Sequence, residues 1–512
     1  MEVLVSWVVE DLSFKIINFQ KKSMRFSRFV TSKFILSWSL ALFIFVGCQE
    51  PTEIPIVKGD DGQVFAIDTE QSQIPYIVIS TRGAEIPYEP GVIGEMKIYQ
   101  EKKLQKTQLI DIEYRGKTSF RLSDKKAYNF ETVDESGEGM DVSLLGLPEE
   151  EDWRFVGHVV NLNEKYAWDK SLIYNHVGYE FSRLAGKYAS RGKFVELEVN
   201  GEYQGVFILF EKLKRDSQRI DIKSLNATST NLTGGYILKI DKADAGPEHD
   251  GKPLSYFLGN WEDDARYNSF NSFRSNFDIF GNSLTIPPFN APYHPQQFLE
   301  TYFTYEYPSA DNITSGQQSY IAGYVDEFEE ALLADDFTTA IRTYTDWIDV
   351  DSFVDYFLIN ELCRNVDAYR ISTYVVKDRD GKLAMGPVWD MNIAFDEGGR
   401  IPVTDWVINY NNYVTNDPWM VPFWWERLLE DPQFKQKVKT RWNSLRLSNW
   451  SNAKLQQVVD EASYYLKSNG AVERNYAKWD QGIGINHDQA VLELQNFINT
   501  RVAWMDGVIG SW

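Results

Sequence analysis

Apolar and polar residues follow a strand-like pattern in the first part of the chain and a helical one in the last. IPYIVIS (74–80), EMKIYQ (95–100), LIDIEYRG (109–116) and KAYNFETV (126–133) are short runs rich in β-branched and aromatic residues, parted by Gly, Pro and charge. They predict an antiparallel sheet. A helix is expected over 167–186, with Leu172, His176, Tyr179 and Leu184 on one side and Gly186 as its C-terminal stop. FVELEV (194–199), Asn200-Gly201 and YQGVFILFE (203–211) form a hairpin, because Asn-Gly tolerates the positive φ of a tight turn. GGYILKID (234–241) reads as one more strand. Residues 244–320, rich in Pro, Asn, Ser and aromatics, show no firm period and read as a long insertion, a lid or substrate platform. Helices are expected over 319–334, 351–365 (Asp351 as N-cap), 423–429 and 487–505, where Val491, Leu494, Ile498, Val502 and Met505 share one face. A second hairpin, ISTYVVKD (371–378) and KLAMGPVW (382–389), turns at Asp380-Gly381. The fold class is therefore α+β, with an N-terminal sheet region followed by a mainly helical C-terminal region.

Charge narrows the function. Against 52 Lys+Arg stand 74 Asp+Glu, a net charge of −22 over 512 residues, which argues against nucleic acid as a partner. Aromatics at 15% point to large cores and stacking surfaces. Two cysteines, Cys48 and Cys363, exclude an intrachain disulfide framework; Cys363 falls inside an expected helix and reads as a packing residue. None of the five histidines stands in HExxH or HxH spacing, which argues against a zinc site.

The N-terminus has a charge pattern of its own. From Met24, Arg25, Arg28 and Lys33 precede an uncharged run, Phe34 to Gly47, that ends at Cys48. The run is shorter than the ~20 residues of a membrane span and reads as an export signal. It is similar to the lipobox of bacterial lipoproteins, which implies cleavage before Cys48 and a lipid on that thiol, although Phe45 stands where Leu is preferred. An uncleaved anchor is the alternative. Glu2, Glu10 and Asp11 precede the basic region, so translation is expected to begin at Met24. The expected organisation is a signal peptide over 1–47, a lipidated tether over 48–73 and one folded domain over 74–512. Without the signal, the body carries about −25.

The candidate chemistry lies around the second hairpin. Asp367 follows one helix and precedes the hairpin, and Asp390 follows the hairpin, so the turn brings both to one rim. Protein kinases place a catalytic-loop Asp and a metal-binding Asp in the same order. Arg115-Gly116 and Lys125-Lys126 offer cations for phosphate, and Glu211 could pair with such a lysine. Taken one at a time, these residues are explained more simply as turn aspartates and solvated strand-end charges.

YRGKTSF (114–120), NGEYQGV (200–206) with Glu211-Lys212, GGYILKIDK (234–242), NVDAYR (365–370), GPVWDMN (386–392) and VPFWWERLLEDPQF (421–434) together resemble the CotH family, named for a spore-coat protein and typical of lipoproteins of Bacteroidetes-like bacteria. The resemblance runs from about Ile74 to the C-terminus. It implies an atypical, rearranged protein-kinase-like fold and phosphorylation of Ser/Thr in secreted or coat proteins with Mg²⁺ and ATP. It implies Asp367 as the catalytic aspartate, Asp390 as the metal ligand with Asn392 as a second oxygen donor, and Arg115 and Lys126 as the basic residues that meet phosphate. Two departures stand out: Ser372 occupies the position of the kinase-type Asn, and Asp396 replaces a usual Gly. The expected protein is exported and lipid-anchored to the cell envelope, at the outer membrane, with a protein substrate or surface partner. The alternative is a non-catalytic scaffold that binds a glycan or peptide. Glycoside hydrolysis by a carboxylate pair has no local motif behind it.

Overall fold

The computed structural model describes residues 57–58, 64–65, 74–243, 249–289, 299–341 and 343–512. The expected export signal and Cys48 lie outside the described residues, as does the expected tether apart from a ribbon pairing Val57–Lys58 with Val64–Phe65.

Seven strands form a closed barrel: β1 (Tyr76–Ser80), β2 (Val92–Gln100), β3 (Lys103–Arg115), β4 (Ala127–Val133), β5 (Asp152–Val156), β6 (Gly192–Val199) and β7 (Glu202–Glu211). Their order is β6-β7-β5-β4-β3-β2-β1, and a parallel pairing of β1 with β6, Ile77 opposite Leu197, closes the ring. Closure removes the exposed edges that an open sheet would present. Every second side chain points inward: Ile77, Ile79, Met96, Ile110, Ile112, Phe130, Trp153, Phe155, Leu197 and Leu209 fill the interior. Each such burial contributes roughly 1.5–3 kcal/mol. The intervening positions point outward, and on β3, β4 and β5 they are polar: Glu113 pairs across to Asn129, and Asn129 to Arg154. The β6–β7 turn uses Asn200 (φ 51°) and Gly201 (φ 80°), the left-handed pair expected of Asn-Gly.

Between the barrel strands lie α1 (Thr118–Leu122) and α2 (Tyr174–Leu184). The second is shorter than the sequence pattern suggested. Asp169 and Leu172 adopt φ of 49° and 67°, and the Asp169 carboxylate accepts the Ser171 hydroxyl and the Ile173 and Tyr174 amides, so a knotted loop replaces the first two turns.

A second, antiparallel sheet holds β8 (Tyr236–Ile240), β9 (Ser272–Asp278), β10 (Glu300–Tyr307), β11 (Thr373–Lys377) and β12 (Leu383–Met385) in the order β9-β10-β8-β11-β12. Two of its strands come from the segment read as an insertion. They escape pattern reading because six successive residues of β10 are buried, which erases the alternation of a half-buried strand.

The longer helices that follow are α3 (Ser315–Leu333), α4 (Val350–Cys363), α5 (Trp424–Glu430), α6 (Pro432–Arg446), α7 (Asn452–Ser468), α8 (Ala471–Trp479) and α9 (His487–Gly510). α4 is buried along nearly its whole length and is the axis of the larger core, where Phe353 and Phe357 pack against Trp424 and Trp425. Its N-cap is Asp349, whose carboxylate accepts the Asp351 and Ser352 amides, while the expected cap, Asp351, pairs with Lys437. Cys363 is fully buried, and burial raises its thiol pKa. Helix α8 reaches across to the barrel. Gly205 (φ 92°) permits that approach, since a Cβ there would lie 2.4 Å from Asn475 Oδ1. No helix among the described residues is long and apolar enough to cross a membrane.

Candidate active site

The outward face of β3–β5 and the loops around β11–β12 enclose a cleft of about 380 Å³. Arg115, Asp367, Asp390 and Asn392 all line it.

Asp367 lies in the loop that follows α4, 9% exposed. Arg370 Nη2 donates to its Oδ1 at 2.6 Å, and no protein group is bonded to Oδ2 among the described residues. Arg370 is itself fixed on several sides. Its Nη1 pairs with Asp417 at 3.3 Å and donates to Trp419 O, its Nε donates to Val366 O, and it lies 4.2 Å above the Tyr410 ring. Asp367 is therefore held in one orientation by a side chain that cannot move.

Asp390 follows β12 with φ 53°. Aspartate is one of the residues that tolerate this left-handed conformation, which here turns the chain out of the second sheet. The loop is pinned to α2: Tyr179 OH accepts the Asp390 amide at 3.3 Å and Asn175 Oδ1 accepts the Met391 amide at 2.9 Å. Asn365 Nδ2 donates to Trp389 O at 3.2 Å and so ties the two aspartate loops together. Burial and then the Asp367 and Asp241 charges push the Asp390 carboxyl up to about 7, against the pull of Arg115 and Lys242. Neither the Asp390 carboxylate nor the Asn392 side chain has a hydrogen-bond partner among the described residues. Hard oxygen donors left open beside other carboxylates fit a magnesium ion, whose charge would offset that repulsion.

Arg115 ends β3 and faces the cleft, its guanidinium 5.6 Å from the centre of the Trp389 ring. Burial and the neighbouring Arg154 lower its pKa to about 10.

Two residues read from the sequence lie elsewhere. Lys126 turns away from the cleft, donating to Phe120 O and Ser123 O at the end of α1 and covering the Phe120 ring. The period of two sends its neighbour Lys125 to the cleft side instead. There Lys125 is buried and donates to Val206 O and Asn475 Oδ1. Glu211 is fully buried away from the cleft and pairs with Arg191 at 2.6 Å, not with a lysine.

The departures at 372 and 396 take clear structural roles. Ser372 (φ 50°) lines the cleft, and Asp396 (φ 77°) occupies a left-handed position suited to Gly while accepting a hydrogen bond from Arg364 at 2.7 Å. Sequence reading missed Arg154, Asp241 and Arg370. The first stands in DWRFV (152–156), where alternation about Trp153 and Phe155 was the available signal. Asp241 directly ends a strand that was recognised.

Among the cleft residues, Arg115, Lys117, Lys125, Arg154, Lys239, Lys242, Arg370 and Arg400 outnumber Glu89, Glu113, Asp241, Asp367 and Asp390. By count the lining is basic on a chain of net charge −22, although Lys239 is paired with Glu306, Lys242 with Asp264 and Arg370 with Asp417.

A family model described as CotH kinase protein matches residues 112–505. The match covers the whole cleft apart from Tyr88 and Glu89. No curated protein matches the chain.

Proposed function

The chain belongs to the CotH kinase protein family, and from that premise we propose that it transfers the terminal phosphoryl group of ATP to a Ser or Thr hydroxyl of a secreted or surface protein. The observation that supports this most is the pairing of Asp367 and Asp390 in a cleft whose other charges are mainly basic.

In this reading, Asp390 and Asn392 hold Mg²⁺. Bound magnesium supplies charge neutralisation at the phosphates. Arg115 meets the phosphate chain. Asp367 accepts the proton of the acceptor hydroxyl at the oxygen that Arg370 leaves unengaged, the hydroxyl oxygen bonds to the terminal phosphorus, and the bond to the ADP oxygen breaks. Arg370 keeps Asp367 oriented, so little reorganisation is needed when substrate arrives. The protein acts as an exported lipoprotein, anchored through Cys48 and set off from the membrane by the tether.

A thermal-shift titration of the protein from Gln49 onward with Mg-ATP tests nucleotide binding. A ligand at about a hundred times its Kd stabilises the fold by roughly 2.7 kcal/mol. The wild type should show a magnesium-dependent rise in melting temperature that Asp390→Ala loses. An equal response in both proteins contradicts the assignment. No response in either favours a scaffold that keeps the fold without the chemistry.

A further inference from the structure

Two features meet at one end of the barrel, and neither lines the cleft. The first is a hairpin. Strands β2 and β3 join at Glu101 (φ 48°) and Lys102 (φ 66°), a two-residue turn that sets Gln100 opposite Lys103. Lys97, Lys102, Lys103 and Lys106 stand around it, and Glu101 is the one acidic residue from 96 to 107, although Lys97 also lies 3.8 Å from Glu95. Leu104 is 38% exposed among these lysines. On a chain of net charge −22 the hairpin reverses the sign, and an exposed leucine among lysines is the make-up of a contact at a membrane interface.

The second feature is the point where the chain enters the domain. Strand β1 starts at Tyr76, which pairs with Tyr99 of β2, and Tyr99 in turn lies opposite Leu104. The segment leading from Cys48 therefore joins the barrel in the same cross-strand row as the exposed leucine. Strand β4 pairs with β3 only as far as Leu109, so residues 103–108, roughly 20 Å of strand, run past its end. The cleft lies at the opposite end of β3, where Arg115 is about 40 Å of strand from Lys103.

A lipid on Cys48 limits how far the domain strays from a bilayer and leaves its orientation open. Resting on the lipoprotein reading above, we infer that the β2–β3 hairpin is a second membrane contact. Lys102, Lys103 and Lys106 meet the anionic headgroups of the bilayer that holds the lipid, Leu104 enters the headgroup region, and the cleft is turned away from the surface. The acidic body supports this division, because an anionic surface repels it and attracts the face of opposite sign.

Co-sedimentation of the chain from Gln49 onward with vesicles tests the hairpin without the lipid, and that chain keeps every described residue. It should bind vesicles of phosphatidylcholine with phosphatidylglycerol about tenfold or more tightly than phosphatidylcholine alone, and high salt should release it. Combining Lys102→Gln, Lys103→Gln and Lys106→Gln should weaken binding to the anionic vesicles by about tenfold or more, at roughly fivefold per lysine. The same exchange at Lys223, Lys252 and Lys454, which are exposed elsewhere, should leave binding near wild type. An environment-sensitive dye on Leu104→Cys should shift to shorter wavelength on the anionic vesicles, a signal that a structural role of the hairpin would not give; Cys363 is buried and leaves the label at one site. Equal binding to both kinds of vesicle, equal loss in the two triple variants, or a dye that stays in water overturns the contact. Fatty-acid labelling of Cys48 is read separately. A labelled protein whose Gln49-onward chain ignores anionic vesicles rejects the hairpin and keeps the anchor, whereas binding through the three lysines with no label on Cys48 rejects the anchor and keeps the hairpin.

Discussion

Arg370 shows how one side chain can carry both structure and chemistry. Its guanidinium joins Asp367, which faces the cleft, to Asp417, which is 1% exposed. Removing one partner of a buried ion pair typically costs about 3–5 kcal/mol. Arg370→Met should therefore lower unfolding stability in denaturant by several kcal/mol and also impair phosphoryl transfer. Asp367→Asn keeps an amide oxygen to accept from Arg370 and leaves Asp417 beside it, so it should cost less stability than Arg370→Met and leave Mg-ATP binding near wild type while abolishing transfer. A variant of Asp367 that keeps full transfer would remove it from the mechanism. That Asp367 and Asp390 meet at one cleft was legible from the order of helix, hairpin and aspartates. Lys125 and Lys126 were not separable, because adjacent lysines give no indication of which faces the cleft until the register of β4 is known. Glu211 was misassigned for a related reason, since its partner Arg191 lies just outside the hairpin that made Glu211 conspicuous.

At the scale of elements, most of the barrel strands, the two hairpins and four of the helices were read from the sequence, while the two strands within 244–320 and closure of the barrel were not. The parallel β1–β6 pairing joins segments more than a hundred residues apart, and no local pattern encodes it. Helices α6 and α7 did carry local signals: Asp431 caps a helix with Pro432 at its start, and Leu455, Val459, Ala462 and Leu466 form a buried stripe. The segment read as an insertion is tied into the core through Glu329 on α3, which accepts the Ser275 hydroxyl of β9 at 2.7 Å and Trp424 Nε1 of α5 at 2.8 Å. Glu329 is buried with no cation beside it among the described residues, and burial raises its carboxyl from 4.5 to about 8. Between those values the folded chain retains a proton that the unfolded chain has released. This contribution to stability is complete below about 4.5 and is lost as pH rises through about 8, with a slope near 1.4 kcal/mol per pH unit. Glu329→Gln should flatten that part of the pH–stability curve and gain on the wild type at alkaline pH. Parallel curves for the two proteins would show that Glu329 is already ionised.

At the scale of the whole molecule, an acidic body encloses a basic cleft and follows a basic, apolar run that ends at Cys48 and is proposed as an export signal. The leader leads to the prediction that Cys48→Ala moves the protein from the membrane fraction to the soluble fraction and abolishes labelling by fatty acid. Retention in the membrane would favour an uncleaved anchor. The family was legible because its motifs combine NGEYQGV, NVDAYR and GPVWD, and the match over residues 112–505 places the chain in it. The central claim is that Asp367 and Asp390 serve phosphoryl transfer in this cleft. It is tested most directly by incubating wild type, Asp367→Asn and Asp390→Ala with γ-labelled ATP and magnesium in the presence of envelope proteins. Label should enter protein Ser or Thr with the wild type alone and vanish when magnesium is chelated. Equal labelling by Asp390→Ala, or none by a wild-type protein that binds Mg-ATP, would contradict it.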